Sequence, residues 1–224
     1  MKKSVLITGC STGIGYVCAH ALQNEGFHVI ASCRQDRDIK RLNEEGLECI
    51  KLDLNDPESI SFGVAQALAL SEGRLYAVFN NGAYGQPGAL EDLPTEALQA
   101  QFQTNFFGWH QLVTEVLPHM RKQGEGRIIL NSSVLGFAAM KYRGAYNASK
   151  FALEGWADTL RLELMDTNIK VALIEPGPIE TQFRQNALKA FERWIEAENS
   201  AHKTAYAGQK KRLDLSLIHI SEPT

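Results

Sequence analysis

No apolar run in this 224-residue chain reaches the roughly 18 residues of a membrane span. Met1-Lys2-Lys3 and the short run after it look like the start of a signal peptide. Gly9, Ser11, Thr12, Gly13 and Gly15 interrupt that run after about five residues, so a first strand and turn are expected instead. Charge of either sign is scarce in excess. The formal net charge is -3, and Lys210-Lys211-Arg212 is the one dense basic run, which argues against a nucleic-acid face. The four cysteines, Cys10, Cys18, Cys33 and Cys49, have no C-x-x-C spacing, so reduced thiols in a cytoplasmic protein are expected and neither a disulfide nor a zinc framework. His20, His28, His110 and His119 lack metal-ligand spacing, and no metal is expected. There are no repeats and no low-complexity tracts.

What is present is 44% hydrophobic residues, enough for one globular domain that buries roughly 70% of its unfolded surface. Short apolar runs alternate with longer helical patterns. Val5-Leu6-Ile7 is followed by a helix from about Ile14 to Asn24, and Phe27 to Ala31 forms the next strand. The series continues with a helix Arg37 to Glu45, a strand Leu47 to Leu52, a helix opened by Asp56-Pro57 and a strand Leu75 to Asn80. Beyond them come a long helix Thr95 to Lys122, a strand Arg127 to Asn131, a helix through Tyr146 to about Leu164 and a strand Lys170 to Glu175. Such alternation predicts an α/β fold, a parallel sheet covered on both faces by helices, with ligands bound beyond the carboxyl ends of the strands. A single domain over residues 1–200 and an irregular tail over 201–224 are expected.

Two groups of residues fall at those strand ends or on the helices that follow them. Thr8 to Gly15 places Gly9 and Gly13 where the backbone must come close to an anion, in front of a helix whose first N–H groups and positive dipole end face it. The competing reading is tight strand-to-helix packing. Tyr146 and Lys150 lie four apart, hence on one helical face, with Ser133 thirteen residues upstream. Bringing a phenol from its ordinary value near 10 to neutrality takes about 4 kcal/mol. One unit charge roughly 4 Å away at an effective dielectric of about 20 supplies about that much. The Lys150 ammonium is therefore expected to make Tyr146 an acid usable near neutral pH, while Ser133 hydrogen-bonds a substrate carbonyl.

These motifs, in this order over roughly residues 4 to 185, resemble those of the short-chain dehydrogenase/reductase family, in its hydroxysteroid and retinol dehydrogenase branch with bacterial relatives. The resemblance implies a doubly wound, Rossmann-like sheet of strand order 3-2-1-4-5-6, a nicotinamide cofactor, and Asn105, Ser133, Tyr146 and Lys150 as a catalytic tetrad. Asn105 would hold a water of the proton relay, and Lys150 would also bind ribose hydroxyls. It implies cofactor contacts from Gly9, Ser11, Thr12, Gly13, Ile14, Gly15, Leu54 and Asn80. Asp53 matches the residue that holds the adenine amino group, and Pro176, Gly177, Ile179 and Thr181 match the loop around the nicotinamide amide. Asn105 as a satisfied helix polar group, and Asp53 as a turn cap, are the competing readings.

Two details refine this expectation. Where NAD-selective members carry an acid after the second strand, Cys33 stands here, followed by Arg34; a guanidinium there matches a 2′-phosphate, so NADP(H) is expected. Asn80-Asn81-Gly82-Ala83 transposes the family's Asn-Asn-Ala-Gly, putting a Cβ at position 83 and removing its freedom at positive φ. Val134, Leu135, Phe137, Met140, Tyr142 and Phe183 flank the site without a charged anchor, so a hydrophobic carbonyl or alcohol is the expected substrate. A small polar pocket with these side chains in the core is the alternative. A cofactor-sensing binding protein is the alternative to an enzyme.

The resemblance also implies a homodimer or homotetramer through the Thr95–Lys122 and Tyr146–Leu164 helices, with Phe106, Phe107, Trp109, Trp156 and Leu160 in the seam or, failing that, against the sheet. Leu188, Phe191, Trp194 and Ile195, on a helix near Leu188 to Glu198, suit a lid. Residues from about Leu215 read as non-native, so that a seventh strand is expected to be missing and the Val171 to Ile174 edge exposed or shielded by the Leu213, Leu215, Leu217 alternation.

Overall fold

The computed structural model describes residues 2–214, with side chains through residue 208. Its six strands are β1 (Ser4–Ile7), β2 (His28–Cys33), β3 (Glu48–Lys51), β4 (Leu75–Asn80), β5 (Gly126–Asn131) and β6 (Ile169–Ile174). All pair in parallel, in the order β3-β2-β1-β4-β5-β6. This is the doubly wound order expected.

Alternation along each strand explains why helices cover both faces. Leu6 and Ile30 point into one core with Val78, Ile128 and Leu130, while Val5, Ile7, Val29 and Ala31 point into the other. The first core is closed by α3 (Pro57–Leu70), α5 (Gly108–Gln123) and α6 (Gly144–Glu163); the second by α1 (Gly13–Asn24) and α2 (Asp36–Glu44). α3 starts as its sequence dictates: the Asp56 carboxylate accepts from the N–H groups of Glu58 and Ser59, and Pro57 occupies the first turn.

Three stretches depart from expectation. The long helix is interrupted: α4 (Thr95–Phe102) runs into one π turn, Gln103–Phe107, before α5. The widened turn sits where Thr104 donates to Asn55 and where Gly108 lies against the Leu54 carbonyl, 2.4 Å from where a Cβ would stand. The next helix, α7 (Phe183–Trp194), starts five residues before the expected Leu188. The described part of the expected irregular tail is largely helical, with α8 spanning Lys203–Asp214. Tyr206 accounts for this, because it is buried against Phe191, Ile195 and Ala89 in a third small core that the polar composition of the tail concealed. The expectations for residues from Leu215 onward lie outside the described residues.

Candidate active site

The carboxyl ends of the strands open into one cavity of about 1240 Å³. Gly9 (φ +71) and Gly13 (φ +64) hold the left-handed backbone that the loop after β1 needs, and a Cβ on Gly9 would stand 2.6 Å from the Gly82 Cα. Gly9, Ser11, Thr12, Gly13 and Ile14 line the cavity at the α1 N-terminus, where unpaired N–H groups favour an anion. Gly15 does not line it. A Cβ there would meet Gly9 O and Asn81 Nδ2, both at 2.5 Å, so this glycine serves packing. Asn80 is also behind the wall, fully buried on β4. Its neighbour Asn81, which the sequence reading passed over, is the pin. Its amide donates to the Thr8 and Gly9 carbonyls and its oxygen accepts from Asn131, tying β1, β4 and β5 together below the cavity.

Ala83 lies outside the positive-φ region, which among non-glycine residues holds Glu72 and Tyr142. The transposition therefore costs no backbone strain at position 83. Gly82 is where the space is short: a Cβ there would lie 2.9 Å from Leu54 Cδ1. Trp109 donates its indole N–H to the Gly82 carbonyl.

Arg34, Asp53 and Leu54 line one end of the cavity. Arg34 is exposed, and Asp53 accepts from the Asn55 N–H while remaining at the wall, so its turn-capping and wall positions coexist. Pro176, Gly177, Ile179 and Thr181 line the cavity beyond β6, and Val134 donates to the Pro176 carbonyl, fixing that loop beside Ser133.

Ser133, Tyr146 and Lys150 share this cavity. The Ser133 hydroxyl caps a short turn by accepting from the Leu135 N–H. Burial raises the Tyr146 phenol above its ordinary value, and the nearby Ser133 hydroxyl opposes that rise. The expected depression by Lys150 is not seen. The lysine is fully buried and its ammonium is pushed down to about 7 by desolvation, with Glu154 pulling the other way. It donates to the Asn131 carbonyl at 2.6 Å and sits 4.4 Å above the centre of the Trp109 ring, against 5.7 Å from that of Tyr146. Trp109 is thus a support for the lysine. Its position four residues after Asn105, on the same helical run, is the one trace of this role in the sequence.

Asn105 itself is fully buried and does not reach the cavity. Its amide donates to the Tyr84 carbonyl and its oxygen accepts from the Tyr84 N–H, which holds the loop after β4. In this structure its side chain is a satisfied polar group on the Tyr84 backbone. Of the four expected lid residues, Trp194 lines the cavity, Leu188 stays outside its wall, and Phe191 and Ile195 turn into the third core; Phe183, Ala187 and Ala190 add further apolar wall. Trp109 and Leu160 are buried in the main core, which takes them out of any seam between subunits. The apolar wall also carries cations absent from the sequence reading: Lys141, Arg143, Arg184, Lys189 and Arg193. Among the described residues there is no group of three or more metal-binding side chains, and no helix is long and apolar enough to cross a membrane.

Residues 3–191 match the short chain dehydrogenase family. The chain is 49% identical over 186 residues, 83% of its own length and 69% of the other's, to the uncharacterized oxidoreductase YbbO of Escherichia coli K12. It is 37% identical to human retinol dehydrogenase 8, covering 83% of this chain and 62% of that one. A short-chain dehydrogenase/reductase from Burkholderia phymatum solved with NAD superposes with a TM-score of 0.82 at 24% identity, over 95% of this chain and 79% of that one. An actinorhodin polyketide ketoreductase solved with NADPH gives 0.77 at 28% identity, over 92% and 80%. The chain belongs to the short-chain dehydrogenase family of oxidoreductases, in the branch that resembles hydroxysteroid and retinol dehydrogenases.

Proposed function

We propose that the protein moves hydride between NADP(H) and a hydrophobic carbonyl/alcohol pair, with Tyr146 as general acid and base. One observation carries this reading: Tyr146, Lys150 and Ser133 line the same cavity as the glycine loop. The residues present fit a dinucleotide, because Gly9 and Gly13 leave room for its phosphates at the α1 N-terminus and Arg34, exposed in the cavity wall, offers a guanidinium of the kind that suits a 2′-phosphate. When bound, the cofactor supplies or accepts the hydride. Ser133 donates to the substrate oxygen and orients it toward Tyr146, which delivers its proton in reduction and takes it in oxidation. Lys150 holds ribose hydroxyls. Asn105 acts as a positioning residue through the Tyr84 loop. Leu54, Asp53, Pro176, Gly177, Ile179 and Thr181 make the remaining cofactor wall.

Tyr146→Phe is the test. Loss of at least a thousandfold in NADPH-dependent carbonyl reduction, with NADPH binding retained, supports the reading. Retained turnover would place the acid elsewhere. The four free cysteines fit a reducing cytoplasm, with Cys10 and Cys33 both held above the ordinary thiol range, Cys10 by burial and Cys33 first by its contact with Cys49. Phe107 and Phe151 are exposed, on the helical run and the helix that the family resemblance assigns to a homodimer or homotetramer. Sedimentation velocity that shows a monomer alone would count against that assembly.

A further inference from the structure

The substrate end of the cavity is lopsided in charge. Lys141, Arg143, Arg184, Lys189 and Arg193 line it, and Asp53, at the Arg34 end, is the one carboxylate in the whole wall. The chain carries a net charge of -3, so an excess of cations at one opening is not a reflection of composition. Glu180 and Glu192 interleave with the cavity-lining residues in sequence yet stay outside the wall. Among the described residues, no carboxylate is ion-paired to Lys189 or Arg193.

The cations stand at a defined distance from the chemistry. Phe183 packs its ring 5.5 Å from the Tyr146 ring and opens α7. Lys189 and Arg193 follow six and ten residues later, which is about 9 and 15 Å along the helix axis. Ala187 and Ala190 line the intervening wall. The Arg193 guanidinium is stacked 4.8 Å from the centre of the Trp194 ring, and both residues line the cavity together with Tyr84. An apolar trough thus leads from the phenol to a pair of cations.

The geometry points to an amphiphilic substrate: a carbonyl at Tyr146, an aliphatic stretch along Ala187 and Ala190, and a terminal anion, carboxylate or phosphate, held by Lys189 and Arg193. This inference rests on the proposed carbonyl reduction and narrows it. A chain of about twelve carbons matches the helix rise between Phe183 and Arg193.

The test uses the full chain and three aldehydes of equal length: dodecanal, 12-oxododecanoate and 12-oxododecyl phosphate. NADPH consumption should show kcat/KM about tenfold higher for at least one anionic aldehyde than for dodecanal, and the better of the two names the head group. Added salt should shrink the ratio. In the Lys189→Met/Arg193→Met double variant the ratio should fall to near one, whatever the absolute rates. A ratio at or below one, or one unchanged in the variant, overturns the inference and leaves carbonyl reduction standing. If no aldehyde is reduced, carbonyl reduction fails, and calorimetry with dodecanedioate against dodecanol decides the anion site separately. Tighter dodecanedioate binding that the double variant loses supports it; equal binding overturns it.

Discussion

Lys150 is the residue on which the site turns, and its neighbours explain why it was only half legible. Its spacing from Tyr146 predicts a shared helical face, which the structure shows. The spacing does not reveal that burial, beside Trp109 and the Asn131 carbonyl, pushes its ammonium down to about 7. That value has a sign. Between about 7 and the ordinary value of 10.5, the unfolded chain holds a proton that the folded chain lacks, so this group makes stability rise with pH across that window. Below about 7 the cost of the buried charge is fully present. Lys150→Met should therefore stabilise the protein at pH 6 and remove the rise between pH 7 and 9, as read by urea unfolding at each pH. Trp109 gives a second readout, since an ammonium 4.4 Å from its ring perturbs its emission. With Trp156→Phe and Trp194→Phe in place, fluorescence should titrate with a midpoint near 7, and an emission flat from pH 6 to 8 would refute the buried charge switch. At the other end of the cavity, kcat/KM should favour NADPH over NADH by at least tenfold, and Arg34→Ala should erase that preference; equal use by the parent chain would remove NADP(H) selectivity.

At the scale of elements, the loop after β1 offers the sharpest prediction. Gly9→Ala forces a side chain to positive φ and places its Cβ 2.6 Å from a backbone atom of Gly82, with no flexible group to give way. A loss of about 3 kcal/mol or more in stability is expected, together with loss of dinucleotide binding measured by calorimetry. A normal melting temperature with tight binding would contradict the close approach. Strands and helices were legible because their apolar periods are long and distinct. β4 falls on Leu75 to Asn80 as the sequence predicts, and α3 opens at its Asp-Pro signal. The π turn at Gln103–Phe107 was not legible, since it answers to Asn55 and Leu54 some fifty residues earlier. The inward face of α7 answers to a nearer partner: Phe191 and, just past the helix end, Ile195 are claimed by Tyr206 of α8.

Across the whole molecule, the segment around α8 is tied back to the loop that precedes α4. Tyr206 donates to Asp92 and accepts from the Ala89 N–H, Ser200 donates to the same carboxylate, and His202 meets Glu91. Ser200 first, and Tyr206 after it, hold the Asp92 carboxyl below its ordinary value, while the phenol is pushed up to about 12 by burial and by that carboxylate. The contacts span 108 to 117 residues of chain. Loop closure of that length is entropically expensive and is rewarded only after the intervening strands have paired, which makes the clasp a late event in folding. Interactions formed after the transition state govern how fast a native protein comes apart and leave its rate of formation alone. Tyr206→Phe should thus steepen nothing in the refolding arm of a chevron plot and raise the unfolding arm severalfold, so that the residue acts as a kinetic latch on a sheet that assembles without it.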